Sequence, residues 1–458
     1  MELKTKARLA MGAFLTACLV PSAGMLFVPE GPAAANQQLA PPPSLTREDG
    51  SFNPEVLQEA TDYIAGHFAF RQHLITADAA LNAAVFRVSA EDDVVLGKDG
   101  WLFYAETVDN HLHTNQLSDR QLWAGAHTLA LVQEYLQSRG ARLLFTVAPN
   151  KATIYPEYLP NVGTPLEDKG NLDRFIPLLA TEGVPYADLR TPLQGERVSL
   201  YFRRDSHWNT LGAALAQKTL LTSLDKEFEP FWLSRSQSVL SGRPGDLYEM
   251  LYPTGHAQDW DARFDREFTF THVRQPRGPD DQRIETENPA KTGSLLMFRD
   301  SFGNSLYPFL AEEYGSALFS RSMPWQLALL DQSGADTVVI ELVERNLGYL
   351  TKHAPVFPAP ARQLNGVPPQ GQGEGQLAVS ESHPLEKHLR LEGWLTWADP
   401  DSPIYVQFGG SLYEASPAGI SGKGIPFTIY VPQGTPLENA SVLCMQQGAL
   451  CALPLTIQ

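Results

Sequence analysis

The sequence predicts an α/β fold, a parallel sheet with helices on both faces, followed by a small C-terminal all-β module. Three observations carry this. Short continuous apolar runs alternate with helical stretches between residues 118 and 342, as strands buried on both faces require. A Pro/Gly-rich stretch breaks that pattern at 354–376. Beyond it only short β-prone segments follow. At 458 residues the chain has room for two or three domains. Its 43% apolar and 19% charged content suits a folded globular protein. The net charge of -17 argues against nucleic acid as a partner, because phosphate binding needs a basic face.

Lys4, Lys6 and Arg8 precede an apolar run from Leu9 to Val28, and Ala33-Ala34-Ala35 offers a small-residue cleavage site. Residues 1–35 therefore read as a signal peptide or, left uncut, as an anchor. Either places the chain outside the cytoplasm, in the periplasm or on the outer face of the membrane. Residues 36–92 read as a tether and an N-terminal helical segment, with Val56, Ala60, Ile64, Leu74, Ile75, Ala79, Leu81 and Val85 at helical spacing. Val94 to Tyr104 gives two apolar runs around a tight turn, a hairpin.

A main domain over 93–353 follows. Helices are expected at 118–138 (ending at Gly140), 172–180, 210–224, after Ser301, and at 325–330. Strands are expected at 143–148, 184–189, 294–298, 317–319 and 337–342. After the linker 354–376, residues 377–458 read as a β-sandwich-like module. In an exported protein Cys444 and Cys451, with Gly448 between them, suit a disulfide across a hairpin.

Two segments carry chemistry. Asp205-Ser206-His207-Trp208-Asn209 puts a carboxylate and an imidazole two residues apart. Ser301 follows an apolar strand and precedes Gly303 and Asn304. A serine at such a turn projects from the sheet end, beside the unpaired N–H groups of a helix N-terminus. Taken singly, Ser301 reads equally as a helix cap, and Asp205 with His207 as a loop or half of a metal site. Taken together they are the three parts of an acyl-transfer nucleophile: Ser301 the nucleophile, His207 its base, Asp205 its orienting partner. Asn150 and Lys151 also fall just after a strand, where ligands of such sheets bind. Arg299 flanks the serine. Arg345 either pairs with Glu344 or lines the cleft, and Trp208 either stacks on a sugar or sits in the core. No Cys/His cluster suggests a metal.

Six motifs in order resemble the AlgX/AlgJ-type proteins of exopolysaccharide O-acetylation. They are Gly97 to Tyr104, Ala148-Pro149-Asn150-Lys151 with Tyr155-Pro156-Glu157, Asp205 to Asn209, Gly245-Asp246-Leu247, Arg299 to Gly303, and Val343 to Leu347. The resemblance covers about 60–350. It implies an SGNH-hydrolase-like catalytic domain and an extracytoplasmic O-acetyltransferase with an acyl-serine intermediate on Ser301. It also implies a polysaccharide substrate, no bound cofactor, and acetyl supplied by a membrane-bound O-acyltransferase. Arg299 stands where many SGNH relatives have glycine, so the oxyanion donors stay open among the Ser301 N–H, Asn150 and Asn304. The same triad would serve a carbohydrate acetylesterase, and the C-terminal module would suit a non-catalytic polysaccharide-binding scaffold.

Overall fold

The computed structural model describes residues 3–24, 27, 39–47, 49–363, 366–422 and 424–457. The expected cleavage site at Ala33-Ala34-Ala35 lies outside the described residues. A helix, Leu3–Gly24, covers most of the N-terminal apolar run. No helix among the described residues is long and apolar enough to cross a membrane. The periodic stretch that follows forms helices Val56–His67 and Arg71–Leu81.

Strands β1 (Val94–Leu96) and β2 (Leu102–Tyr104) pair as the antiparallel hairpin. Next come β3 (Arg142–Ala148) and β4 (Tyr186–Asp188). A separate ribbon joins β5 (Ser236–Pro244) to β6 (Gln258–Phe264). The main sheet is completed by β7 (Thr271–His272), β8 (Arg283–Glu287), β9 (Ser294–Phe298), β10 (Ser316–Ser320) and β11 (Thr337–Val343). Its order is β4-β3-β11-β9-β10-β8-β7.

The five strands from β4 to β10 pair in parallel, and β8 and β7 are added antiparallel. The sheet is thus mixed, where a parallel one was expected. The reason lies in β8: Arg283-Ile284-Glu285-Thr286-Glu287 buries only Ile284 and Thr286. A strand solvated on one face lacks the continuous apolar run that marks the central strands.

The central strands alternate between two cores. Leu295 and Met297 of β9 pack with helices Thr210–Ser223 and Gly303–Ala311. Leu296 and Phe298 pack with helices Asp119–Ser138 and Asn171–Thr181 on the other face. Ser118 caps the first of these through the Gln121 N–H, and Gly140, at φ +78°, turns the chain out of it. From β9 the chain runs through Gly303–Ala311 on one face to β10, then through Leu329–Ser333 on the other face to β11. Strands β10 and β11 flank β9, so the winding reverses there and a crevice opens beyond the strand ends. The helix expected at 325–330 starts later, at Leu329, because Trp325 is buried beside Phe298.

The C-terminal module is a closed, barrel-like sheet, not a sandwich. Its strands are β12 (Ala361–Arg362), β13 (Gly375–Val379), β14 (His388–Leu395), β15 (Ile404–Phe408), β16 (Ser411–Pro417), β17 (Ile425–Pro432), β18 (Ser441–Gln446) and β19 (Ala449–Ile457). Their order is β12-β16-β15-β18-β19-β13-β14-β17, and β16 also pairs with β17, which closes a ring. Short strands of alternating burial suit either architecture; the closing pair, Ser416 with Thr428, decides it.

Cys444 and Cys451 face each other across β18 and β19, but both are free thiols. The expected disulfide is absent here: Cys444 is buried in the barrel core with its Sγ 3.8 Å from the Trp397 carbonyl. Burial pushes the Cys444 thiol up to about 12.

The barrel rests on helix Asp119–Ser138. Arg120 donates to the Ser402 carbonyl at 2.6 Å. Arg362 bridges Glu134 and Glu414, each at 2.6 Å. His127 lies between Glu182 (2.8 Å) and Glu414 (2.9 Å). Burial disfavours its charge, but the two carboxylates outweigh that and raise its pKa to about 9.

Candidate active site

Tyr201 and Trp208 pair across an isolated bridge, which closes residues 202–207 into a tight loop. Within it Asp205 Oδ1 accepts both the His207 backbone N–H (2.9 Å) and its ring Nδ1–H (2.7 Å). The two side chains therefore meet in a turn, not along an extended strand. Lys151 holds the loop from beneath. Its buried Nζ donates to the carbonyls of Phe202 (3.2 Å), Arg203 (3.2 Å) and Asp205 (2.6 Å). Burial lowers its pKa to about 8, against the pull of Asp205, Asp246 and Asp259.

Ser301 follows β9 and precedes helix Gly303–Ala311. Asp300 shapes its turn: Oδ1 accepts the Phe302 N–H (2.9 Å) and Oδ2 the Val343 N–H (2.7 Å). Behind it the Asp300 N–H donates to Glu341 Oε2 at 3.1 Å. Burial, then the charge of Asp300, pushes the Glu341 carboxyl well above the carboxylate range.

The two segments, 94 residues apart, meet where His207 Nε2 lies 2.8 Å from Ser301 Oγ. The line Ser301–His207–Asp205 is continuous in hydrogen bonds. Burial disfavours charge on His207, but the Asp205 hydrogen bond and charge, with help from Asp246, leave its pKa raised. Burial likewise opposes ionisation of Asp205, and the contacts with His207 overcome it, holding the carboxyl below its usual range.

Asp246, to which sequence reasoning assigned no role, belongs to this group. Its carboxylate accepts Ser206 N–H (2.7 Å) and Oγ–H (2.5 Å) and lies 3.5 Å from His207 Nδ1. The signal was present in the motif Gly245-Asp246-Leu247. Gly245 is required there, since a Cβ would stand 2.5 Å from the Arg204 carbonyl. Asp205, His207 and Asp246 cluster closely enough to suggest a cation. The 2.7 Å between Asp205 Oδ1 and His207 Nδ1 is instead a hydrogen-bond distance; two ligands sharing a zinc at about 2.1 Å would stand about 3.4 Å apart.

The other sequence candidates fall around this line, and several do not face it. Trp208 is fully buried, its indole N–H on the Phe302 carbonyl (3.1 Å), so it is unavailable to a sugar. Lys151 is committed to carbonyls. Asn150 is buried, donating its amide to Asn110 Oδ1 (2.9 Å) and its backbone N–H to Glu344 (2.8 Å). Arg299 is buried too, bonded to Asn304 Oδ1 and to the Pro279 carbonyl (2.7 Å). It thus anchors the loop before β8, with its pKa lowered to about 10 by burial. Arg345 lies over the rings of Phe302 (5.7 Å) and Tyr104 (5.5 Å), and its charge opposes protonation of His207.

Fold and site together define an α/β domain with a serine, histidine and aspartate in line at the end of its sheet. Residues 94–290 match the family described as ALGX, SGNH hydrolase-like domain, acetyltransferase AlgX. The chain is 31% identical over 148 residues to "Probable alginate O-acetylase AlgJ" of Pseudomonas syringae pv. tomato, covering 31% of this chain and 36% of the relative. It is 26% identical over 228 residues to the protein of that name from Pseudomonas fluorescens, covering 49% and 54%. The chain thus spans about a third to a half of the length of these relatives. Among solved structures, the O-acetyltransferase domain of Pseudomonas putida AlgJ aligns at 21% identity and TM-score 0.38, over 56% of this chain and 91% of that one. Residues 94–290 are thus similar to the AlgX/AlgJ type that the six motifs resemble.

Proposed function

We propose that this chain is an extracytoplasmic O-acetyltransferase that moves acetyl groups onto hydroxyls of a polysaccharide through an acyl-serine on Ser301. The observation that carries it is the hydrogen-bonded line from Ser301 Oγ through His207 (2.8 Å) to Asp205 (2.7 Å). The names of the relatives, alginate O-acetylases, support the substrate class.

Asp205 holds the proton of His207 on Nδ1, which leaves Nε2 free to accept. His207 Nε2 takes the Ser301 proton as Oγ attacks the acetyl carbonyl carbon. The tetrahedral oxyanion collapses, the bond to the donor's leaving group breaks, and that group receives the proton from His207. A sugar hydroxyl then gives its proton to Nε2 and attacks the acyl carbon. The Ser301 C–O bond breaks, and Oγ takes the proton back. The Ser301 N–H, at the head of helix Gly303–Ala311, is the first oxyanion donor we assign; one such donor typically lowers the barrier by about 3 kcal/mol. The acetyl donor comes from a membrane-bound O-acyltransferase, and no bound cofactor takes part.

The test is acetyl transfer from a small acetyl ester to an oligosaccharide, with a sulfonyl fluoride to label the nucleophile. Wild-type chain acetylates the sugar and is labelled, and Ser301→Ala does neither. Free acetate as the sole product would make it an esterase. Labelling that survives in Ser301→Ala would remove the nucleophile assignment.

A further inference from the structure

Beside Ser301 the ends of β9, β10 and β11 enclose a cavity of about 220 Å³. Its walls include Arg321, Met323 and Trp325 after β10, and Asn346 and Tyr349 after β11. This is the place where the winding of the sheet reverses, and open α/β sheets take their ligands there. At about 30 Å³ for each water in the liquid, the space equals about seven waters. An acetyl group fills a small part of it.

The lining has two characters. Trp325 forms a buried apolar floor, and Met323 and Tyr349, 37% and 38% exposed, stand at the mouth. Arg321 and Asn346 supply polar groups, and Arg321 is held beside the cavity by donating to the Asp280 carbonyl (3.1 Å). An acyl tail would desolvate the guanidinium and amide without pairing them, which is costly. A pyranose ring offers an apolar C–H face and a rim of hydroxyls, and matches both.

We propose that this cavity is the acceptor subsite and takes one pyranose ring of the polysaccharide, its C–H face against Tyr349 and Met323, its hydroxyl rim toward Arg321 and Asn346. This rests on the acyl-transfer reading above and adds which groups recognise the acceptor. A ring seated there also displaces water from beside the acyl-serine, which favours transfer over hydrolysis.

The experiment separates binding from chemistry. Ser301→Ala, alone and combined with Tyr349→Ala or Arg321→Ala, is titrated calorimetrically with cellotriose and with a trisaccharide of uronic acids. In the transfer-competent chain the acceptor KM is measured for the same single substitutions. Tyr349→Ala weakens binding and raises KM about tenfold, as the loss of one ring-stacking contact implies. Arg321→Ala does so for the uronate alone if the ring carries a carboxylate, and for both sugars if hydroxyls are read. No binding of either sugar to Ser301→Ala, or Kd and KM both within about twofold in all variants, a shift of no more than ~0.4 kcal/mol, overturns the subsite. Absence of acetyl transfer by a chain that binds normally sinks the transferase reading instead.

Discussion

The indole N–H of Trp208 donates to the carbonyl of Phe302 at 3.1 Å. The residue after the histidine is thereby tied to the residue after the serine. His207 and Ser301 are thus joined twice, once through Nε2 and Oγ (2.8 Å) and once through this buried strut. The second tie costs the reaction nothing and fixes the approach of the first.

The pH dependence follows from His207. Its pKa is raised above the ordinary imidazole value of 6.5, and only the neutral ring accepts the serine proton. Activity is therefore present above the raised pKa and falls as pH drops through it. In Asp205→Asn the raising partner is lost, so the acidic limb moves to lower pH, and the ring loses its tautomer. We expect kcat to fall by about a thousandfold to ten-thousandfold. A kcat/KM profile of both proteins checks this; an unmoved limb would contradict it.

Lys151 stabilises the loop that carries Asp205. Lys151→Met removes the donor for three carbonyls and should cost roughly 3 kcal/mol. Urea unfolding reads the loss, and slower sulfonylation of Ser301 reports the displaced loop. Equal stability of the two proteins would refute the role.

Glu341 is buried behind the Asp300 turn and accepts the Asp300 N–H. Glu341→Gln keeps the acceptor for the Asp300 N–H and should retain most transfer activity. Glu341→Ala leaves that donor unpaired and a hole in the core, at roughly 2–4 kcal/mol. Melting temperature and transfer rate together distinguish the two, and identical behaviour of the two variants would argue against Glu341 as the support of the Asp300 turn.

His127 links the barrel to the main domain. Its folded pKa of about 9 exceeds the unfolded value near 6.5, so its contribution is complete below the lower value and disappears as pH rises through the upper one. Melting curves at pH 6 and pH 10 should show a loss in wild type that His127→Gln lacks. The same loss in both would place the titration elsewhere.

Much of the site was legible because it is local. Asp205 and His207 sit two residues apart, and the apolar run before Ser301 marks a buried strand wherever it occurs. What escaped was relational. Trp208 and Lys151 look like ligand-binding residues until their partners, the carbonyls of Phe302, Phe202, Arg203 and Asp205, are seen. Asp246 takes meaning only from Ser206 and His207. Strand β8 was invisible for lack of an apolar run, and barrel closure depends on a pairing between β16 and β17 that no periodicity encodes.

That closure bears on how copies of the chain meet one another. Strands with free flanks recruit one another between molecules, and crowding makes this worse. Here the ring spends its own flanks on itself, while the main sheet finishes in β4 and β7, three and two residues long. At these two sheets neighbouring copies are thus offered little to polymerise on.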